Sequence, residues 1–178
     1  MFDDFAAVAR FLIAQKYTSN VHLAIIGGSN GGLLMGAALT QHPDLFRSVV
    51  SVAGIYDMLR VELDPNGVFN TTEFGSVKNE AQFRALFAYS PYHQVTEETP
   101  YPAVLLIAGE HDGRVNPMQS RKFAARLQAL TGAGRPVLLS MSSHAGHGQG
   151  SSMSIQVNQR ADIYSFLFDQ LKMTPPSK

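Results

Sequence analysis

The chain has 178 residues, 45% of them apolar and 16% charged, which is the size and make-up of one globular domain. Lysine plus arginine number 14 and aspartate plus glutamate 14, and this zero balance excludes the basic excess that a nucleic-acid or anionic-membrane partner requires. There is no cysteine, hence no disulfide framework, thiolate nucleophile or cysteine-ligated metal, and no apolar run approaches the ~18 residues of a membrane span. The N-terminus lacks the plan of a signal peptide, so a soluble chain, with the cytoplasm as its favoured compartment, is expected.

In chain order, apolar side chains at Phe2, Phe5, Val8, Phe11 and Leu12 follow a 3.6-residue period and predict a helix over 2–15. Asp3 and Asp4 complement the dipole of its first turn. A turn at Thr18-Ser19-Asn20 leads to a short strand, Leu23 to Ile26, apolar on both faces as a central parallel strand is. A helix over Leu33–Gln41 stops at His42-Pro43, and Val49 to Gly54 is the second buried strand. Residues 56–99 show no strand and one clear helix, Ala81–Phe87, among many turn formers; such an insertion at the carboxyl end of a sheet usually lines a site. A strand over Pro102–Ala108, a helix over Met118–Leu130 ended by Gly132 and Gly134, a strand over Pro136–Met141 and a helix over Ile155–Leu171 complete the pattern. Strands alternating with helices predict right-handed crossovers and a parallel sheet with helices on both faces. Residues 174–178, with Pro175 and Pro176, read as a frayed tail after a domain over 1–173.

Gly27-Gly28-Ser29-Asn30-Gly31-Gly32 carries the most chemistry. It matches G-x-S-x-G, with a buried strand before it and a helix after it. A serine on a sharp strand-to-helix turn adopts an unfavourable backbone conformation that needs close approach of neighbouring chain, so glycines two residues before and two after it are expected to leave that space. The turn lifts the hydroxyl clear of the sheet and aims the Asn30 amide at the oxygen of a tetrahedral intermediate. The competing reading, a glycine-rich turn that binds phosphate, is weakened by the lack of a G-x-G-x-x-G pattern and of a following lysine.

A nucleophilic serine needs an imidazole, and the imidazole needs a carboxylate to fix its tautomer. In the Ser, Asp/Glu, His order that goes with this motif, the acid follows the third strand, where Glu110 and Asp112 both qualify. Asp112 lies beside Gly113 and is better placed to turn back; its alternative is a helix N-cap ahead of Asn116-Pro117. The base follows the fourth strand, in Ser142-Ser143-His144-Ala145-Gly146-His147-Gly148. His147 sits between glycines suited to a mobile loop, and His144 is the alternative. His22, His42, His93 and His111 lie off the expected loop, and none forms an H-x-x-x-H pair with a nearby carboxylate, so neither a metal nor a cofactor is expected.

On these segments together, with Phe2-Asp3-Asp4-Phe5, His42-Pro43-Asp44-Leu45-Phe46, Asp57-Met58-Leu59, Tyr89-Ser90-Pro91-Tyr92 and His111-Asp112-Gly113-Arg114-Val115, the chain resembles the C-terminal catalytic region of the prolyl oligopeptidase family of serine peptidases. The resemblance implies an α/β-hydrolase fold, with Ser29 as nucleophile, Asp112 as orienting acid, His147 as base and Asn30 as backbone oxyanion donor. It makes Arg114 the residue that holds a substrate carbonyl, with a surface ion pair as the alternative role. The function implied is cleavage of short peptides through an acyl-enzyme. The rivals are an esterase acting on small acyl esters with the same triad, and a catalytically silent scaffold.

Two departures carry expectations of their own. Prolyl-specific members stack the substrate proline on a tryptophan in a W-T-T-x-[YF]-G-like segment. Here that segment reads Asn70-Thr71-Thr72-Glu73-Phe74-Gly75, and the chain has no tryptophan. A wider or more polar pocket is expected at Asn70, with Phe69 either a substitute aromatic wall or part of the core. In the family, further strands and a β-propeller precede the first helix found here, and a tyrosine from that half is the second oxyanion donor. The expectation is a truncated sheet whose Leu23–Ile26 edge either self-associates or pairs with a missing N-terminal half.

Overall fold

Alternate residues of adjacent strands build two separate cores. The computed structural model describes residues 1–130, 134–148 and 152–174. Its sheet holds β1 (Ala24–Gly28), β2 (Ser48–Val52), β3 (Ala103–Gly109) and β4 (Val137–Ser142), all parallel and in chain order. The register aligns Ile25, Val49 and Val104 on one face and Ile26, Val50, Leu105 and Leu138 on the other.

The first face is covered by α2 (Asn30–Gln41) and α6 (Met118–Leu130), with α1 (Phe2–Ala14) inserting Ala6 and Ala9 beside them; Met35, Leu39, Phe123 and Leu127 pack there on Ile25, Val49 and Val104. Sheet order that follows chain order puts successive right-handed crossovers on the same side. The second face is therefore left to α7 (Met153–Leu171), which crosses nothing and packs Ile163 and Phe166 on Val50, Leu105 and Ile107. Helices thus flank both faces, as the alternation predicts. α7 packs mainly on the middle strands, and Ile26 of β1 stays 55% exposed and Leu138 of β4 47%. Both belong to edge strands of this sheet.

Several boundaries differ from the sequence reading. β1 runs on to Gly28 and α2 starts at Asn30 rather than Leu33, leaving Ser29 alone between them. β1 also has one apolar face exposed, so it is not a strand buried on both sides. Gly132 and residues 175–178 of the expected tail lie outside the described residues.

The insertion holds α3 (Gly67–Phe74), α4 (Glu80–Tyr89) and α5 (Pro91–Gln94) over a third apolar cluster of Leu33, Ile55, Met58, Val61, Leu86 and Val115. Asn79 caps α4 by accepting from the Gln82 amide, which starts the expected 81–87 helix one residue early. α3 was not expected, since its Gly, Asn and Thr residues are weak helix formers. Tertiary packing makes it helical: Phe74 anchors it on this cluster.

Charged residues bolt the insertion to α6. Gln119 accepts from the Tyr56 and Asp57 amides at 3.0 and 2.7 Å, and Lys122 and Arg60 both reach the Asp57 carboxylate. Burial by itself would raise the Asp57 pKa, but these two cations hold it below the ordinary carboxylate value. Tyr56 is fully buried, stacks on Phe123 and donates to Ser51 at 2.7 Å; burial pushes its phenol up to about 12. Among the described residues, no helix is long and apolar enough to cross a membrane.

Candidate active site

Ser29 sits at φ 56° and ψ −123°, a strained conformation for a residue with a side chain. Its amide donates to Val52 O at 2.8 Å, tying the turn to the end of β2. Gly27 fulfils the expected need for space, because a methyl there would lie 2.5 Å from Gly31 O. Gly31 does not: a methyl on it would meet nothing within 4 Å. The close approach falls instead at Gly32, where a methyl would lie 2.5 Å from the Gly54 Cα. The Asn30 amide opens α2 and makes no hydrogen bond among the described residues, so it points outward free to donate.

His147 lies between the other two candidates. Its Nε2 is 2.9 Å from Ser29 Oγ and its Nδ1 is 2.7 Å from Asp112 Oδ2. This geometry suits the tautomer with Nδ1–H donating to the carboxylate and Nε2 accepting the serine hydroxyl. The Asp112 side chain is 1% exposed, and its second oxygen accepts from the Arg114 and Val115 amides at 2.8 and 2.9 Å. Those two bonds fix the carboxylate before the ring arrives. They lie in the loop itself, so Asp112 does not cap α6; Asn116 instead accepts from the Met118 amide at 3.0 Å.

The alternatives lie elsewhere. Glu110 pairs with Arg121 at 3.2 Å on the surface, and His144 is exposed without a polar partner among the described residues. His93 does stand near Ser90 and Asp57, but both contact the same ring nitrogen and Ser90 is fully buried. No relay through that ring is possible. The loop carrying His147 crosses β3 at Gly109, where a methyl would run into the carbonyls of Ala145 and Gly146.

Beside Ser29 opens a cavity of about 460 Å³, walled by Asn30, Phe69, Asn70, Glu73 and Arg114. Phe69 is 75% exposed, so it belongs to the wall and not to the core. Asn70 lines the same wall and donates weakly to Val61 O at 3.4 Å. Arg114 lines the same cavity and makes no ion pair among the described residues. Two further residues join the site. Asn66 donates to the carbonyls of Gly113 and Arg114 at 3.3 and 2.9 Å, and Glu73 accepts from the Asn30 side chain at 2.7 Å. Asn66 hides in a run of turn formers, and no sequence pattern marks either contact.

A sequence profile of the prolyl oligopeptidase family matches residues 1–174. The chain belongs to the prolyl oligopeptidase family. It is 43% identical to a prolyl endopeptidase of Dictyostelium discoideum over 93% of its own length and 22% of the relative's. Identity to a prolyl endopeptidase of Elizabethkingia miricola is 40%, over 93% of this chain and 24% of that one. A solved prolyl endopeptidase superposes with a TM-score of 0.94 at 44% identity, covering 97% of this chain and 26% of that structure. Prolyl oligopeptidase B from Galerina marginata, bound to a 35-residue hydrolysis and macrocyclization substrate, gives 0.93 at 33% identity, over 98% and 25%. The fold is that of the α/β-hydrolases. The chain spans about a quarter of the length of the family members it matches.

Proposed function

We propose that residues 1–173 form part of the catalytic domain of a serine peptidase of the prolyl oligopeptidase type, with Ser29, His147 and Asp112 as its triad. The observation that carries this reading is the single imidazole within hydrogen-bond distance of both the strained serine and the buried carboxylate. His147 takes the proton of Ser29 as the hydroxyl attacks a peptide carbonyl. The Asn30 amide donates to the oxyanion, an interaction worth about 3 kcal/mol per donor in comparable sites. His147 then protonates the leaving amine, and water releases the acyl group by the reverse sequence. Arg114 holds a substrate carbonyl in the cavity, while Phe69 and Asn70 form the wall against the residue on the acyl side.

Short peptides are the substrates in this reading, and peptide cleavage is in keeping with the names of the relatives. The free edge of β1, with Ile26 exposed, pairs with further strands of the same polypeptide or with a second copy. An alkyl fluorophosphonate tests the triad, because only an activated serine reacts with it. Wild-type protein should be labelled, and Ser29→Ala and His147→Ala should not. Labelling of His147→Ala at most of the wild-type rate would overturn the assignment.

A further inference from the structure

The contacts that hold the nucleophile turn come from different parts of the fold. Ser29 N is bonded to the end of β2, and Gly32 packs on Gly54; both lie on the sheet side. On the cavity side the space around Gly31 is open, and the hydrogen bond from Asn30 Nδ2 to Glu73 is the contact there. A residue at φ 56° has no deep well of its own, so the peptide between Ser29 and Asn30 takes its direction from its surroundings. The Gly32 and Leu33 amides donate to its carbonyl, Ser29 O, at 2.8 and 3.3 Å, and the Asn30 side chain is tied to Glu73. That peptide carries the Asn30 amide.

α3 reaches the acid loop as well. Asn66, just before its first turn, donates to Gly113 O and Arg114 O, in the loop whose amides grip Asp112. Asn66 does not cap α3 with its side chain, and Glu73 is exposed, so neither contact is required to make the helix. Phe69 and Asn70 lie between the two ties.

We propose that Asn66 and Glu73 are positioning residues, and that α3 is a brace fixing the nucleophile turn relative to the acid loop: Glu73 sets the direction of the Asn30 amide through the Asn30 side chain, and Asn66 sets the Asp112 loop. This rests on the serine-peptidase reading. It makes the specificity wall and the oxyanion donor parts of one rigid piece, so that a side chain seated against Phe69 and Asn70 bears directly on the amide that receives the charge.

The test is the rate of phosphonylation by a small dialkyl fluorophosphate, which uses the serine and the amide but does not fill the cavity. Glu73→Ala and Asn66→Ala should each slow it about tenfold, as expected for loss of one hydrogen bond involving a charged or tightly placed partner. Their melting temperatures should stay at the wild-type value. Glu73→Gln keeps the acceptor and drops the charge, so it should recover most of the rate. Wild-type rates in both alanine variants, or rate losses that only track a falling melting temperature, would overturn the brace. An unreactive wild type would instead defeat the serine-peptidase reading. The brace is then read from the NMR signals of the Asn30 side-chain amide, which should shift on going from wild type to Glu73→Ala. Signals identical in wild type and Glu73→Ala would overturn it.

Discussion

Asp112 divides its carboxylate between His147 and its own loop: Oδ2 meets the ring nitrogen at 2.7 Å while Oδ1 holds two backbone amides. The division separates reactivity from folding. In Asp112→Asn the remaining oxygen can still accept both amides, whereas the new NH2 faces Nδ1 as a second donor and favours the wrong tautomer. Phosphonylation should fall by roughly 10⁴-fold, with little change in melting temperature. A rate within tenfold of wild type would show that the carboxylate does not set the tautomer.

The two glycines after Asn30 should behave in opposite ways. Gly32→Ala forces a methyl to within 2.5 Å of the Gly54 Cα and 2.9 Å of Ser51 Oγ, both in the packed interior. It should cost about 1–3 kcal/mol by overpacking and pull Ser29 out of line. Gly31→Ala enters open space in a helix and should raise stability by about 0.4–1 kcal/mol. Urea titration of the two variants checks this pair. Equal losses would mean that the turn, and not the packing on Gly54, demands glycine.

Acid stability should depend on the bolt between the insertion and α6. The folded pKa of Asp57 lies below its unfolded value, so its contribution is present above about pH 4 and is lost as the pH falls through the folded value. Burial, and after it the neighbouring cations, lowers the pKa of His93 despite the opposing pull of Asp57. Between that folded value and about 6.5 the unfolded chain binds the extra proton, and stability rises with pH across the window. Melting temperatures from pH 3 to 8 should therefore show a shallower acid decline in Asp57→Asn than in wild type. Lys122→Met leaves Arg60 and His93 to face the carboxylate and should cost about 3 kcal/mol at neutral pH.

Ile26 stands exposed on an edge strand of a parallel sheet. A charge there blocks strand addition and removes apolar area, so Ile26→Lys should lower the apparent mass wherever the wild-type chain self-associates. Sedimentation equilibrium gives the answer. Unchanged association in Ile26→Lys would move the contact to another surface.

Much of this was legible in the sequence because the signals are local. Buried strands read as apolar runs, and the strand–glycine–serine–glycine–helix order of residues 24–41 announces its own geometry. Asp112 rather than Glu110, and His147 rather than His144, is read from loop position and resemblance; in the structure His147 lies 2.7 Å from Asp112 and 2.9 Å from Ser29. What escaped was non-local. α3 is built from weak helix formers and exists because Phe74 finds a cluster made by residues far along the chain. Asn66 and Glu73 matter through partners 47 and 43 positions away. Gly31 fits the motif yet meets nothing, while Gly32 carries the packing, a distinction that only a neighbour such as Gly54 can make.

Gly109 has no side chain, yet it governs how far the His147 imidazole can reach. Ser29 follows one edge strand and His147 the other, three strand spacings apart, or about 14 Å at the usual pitch. The loop after β4 must pass over the end of β3 to close that distance, and it passes where Gly109 offers bare backbone. Any side chain there would raise the crossing and lift the ring from the hydroxyl. The distance between ring and hydroxyl depends on one absent methyl group, two strands away from the serine.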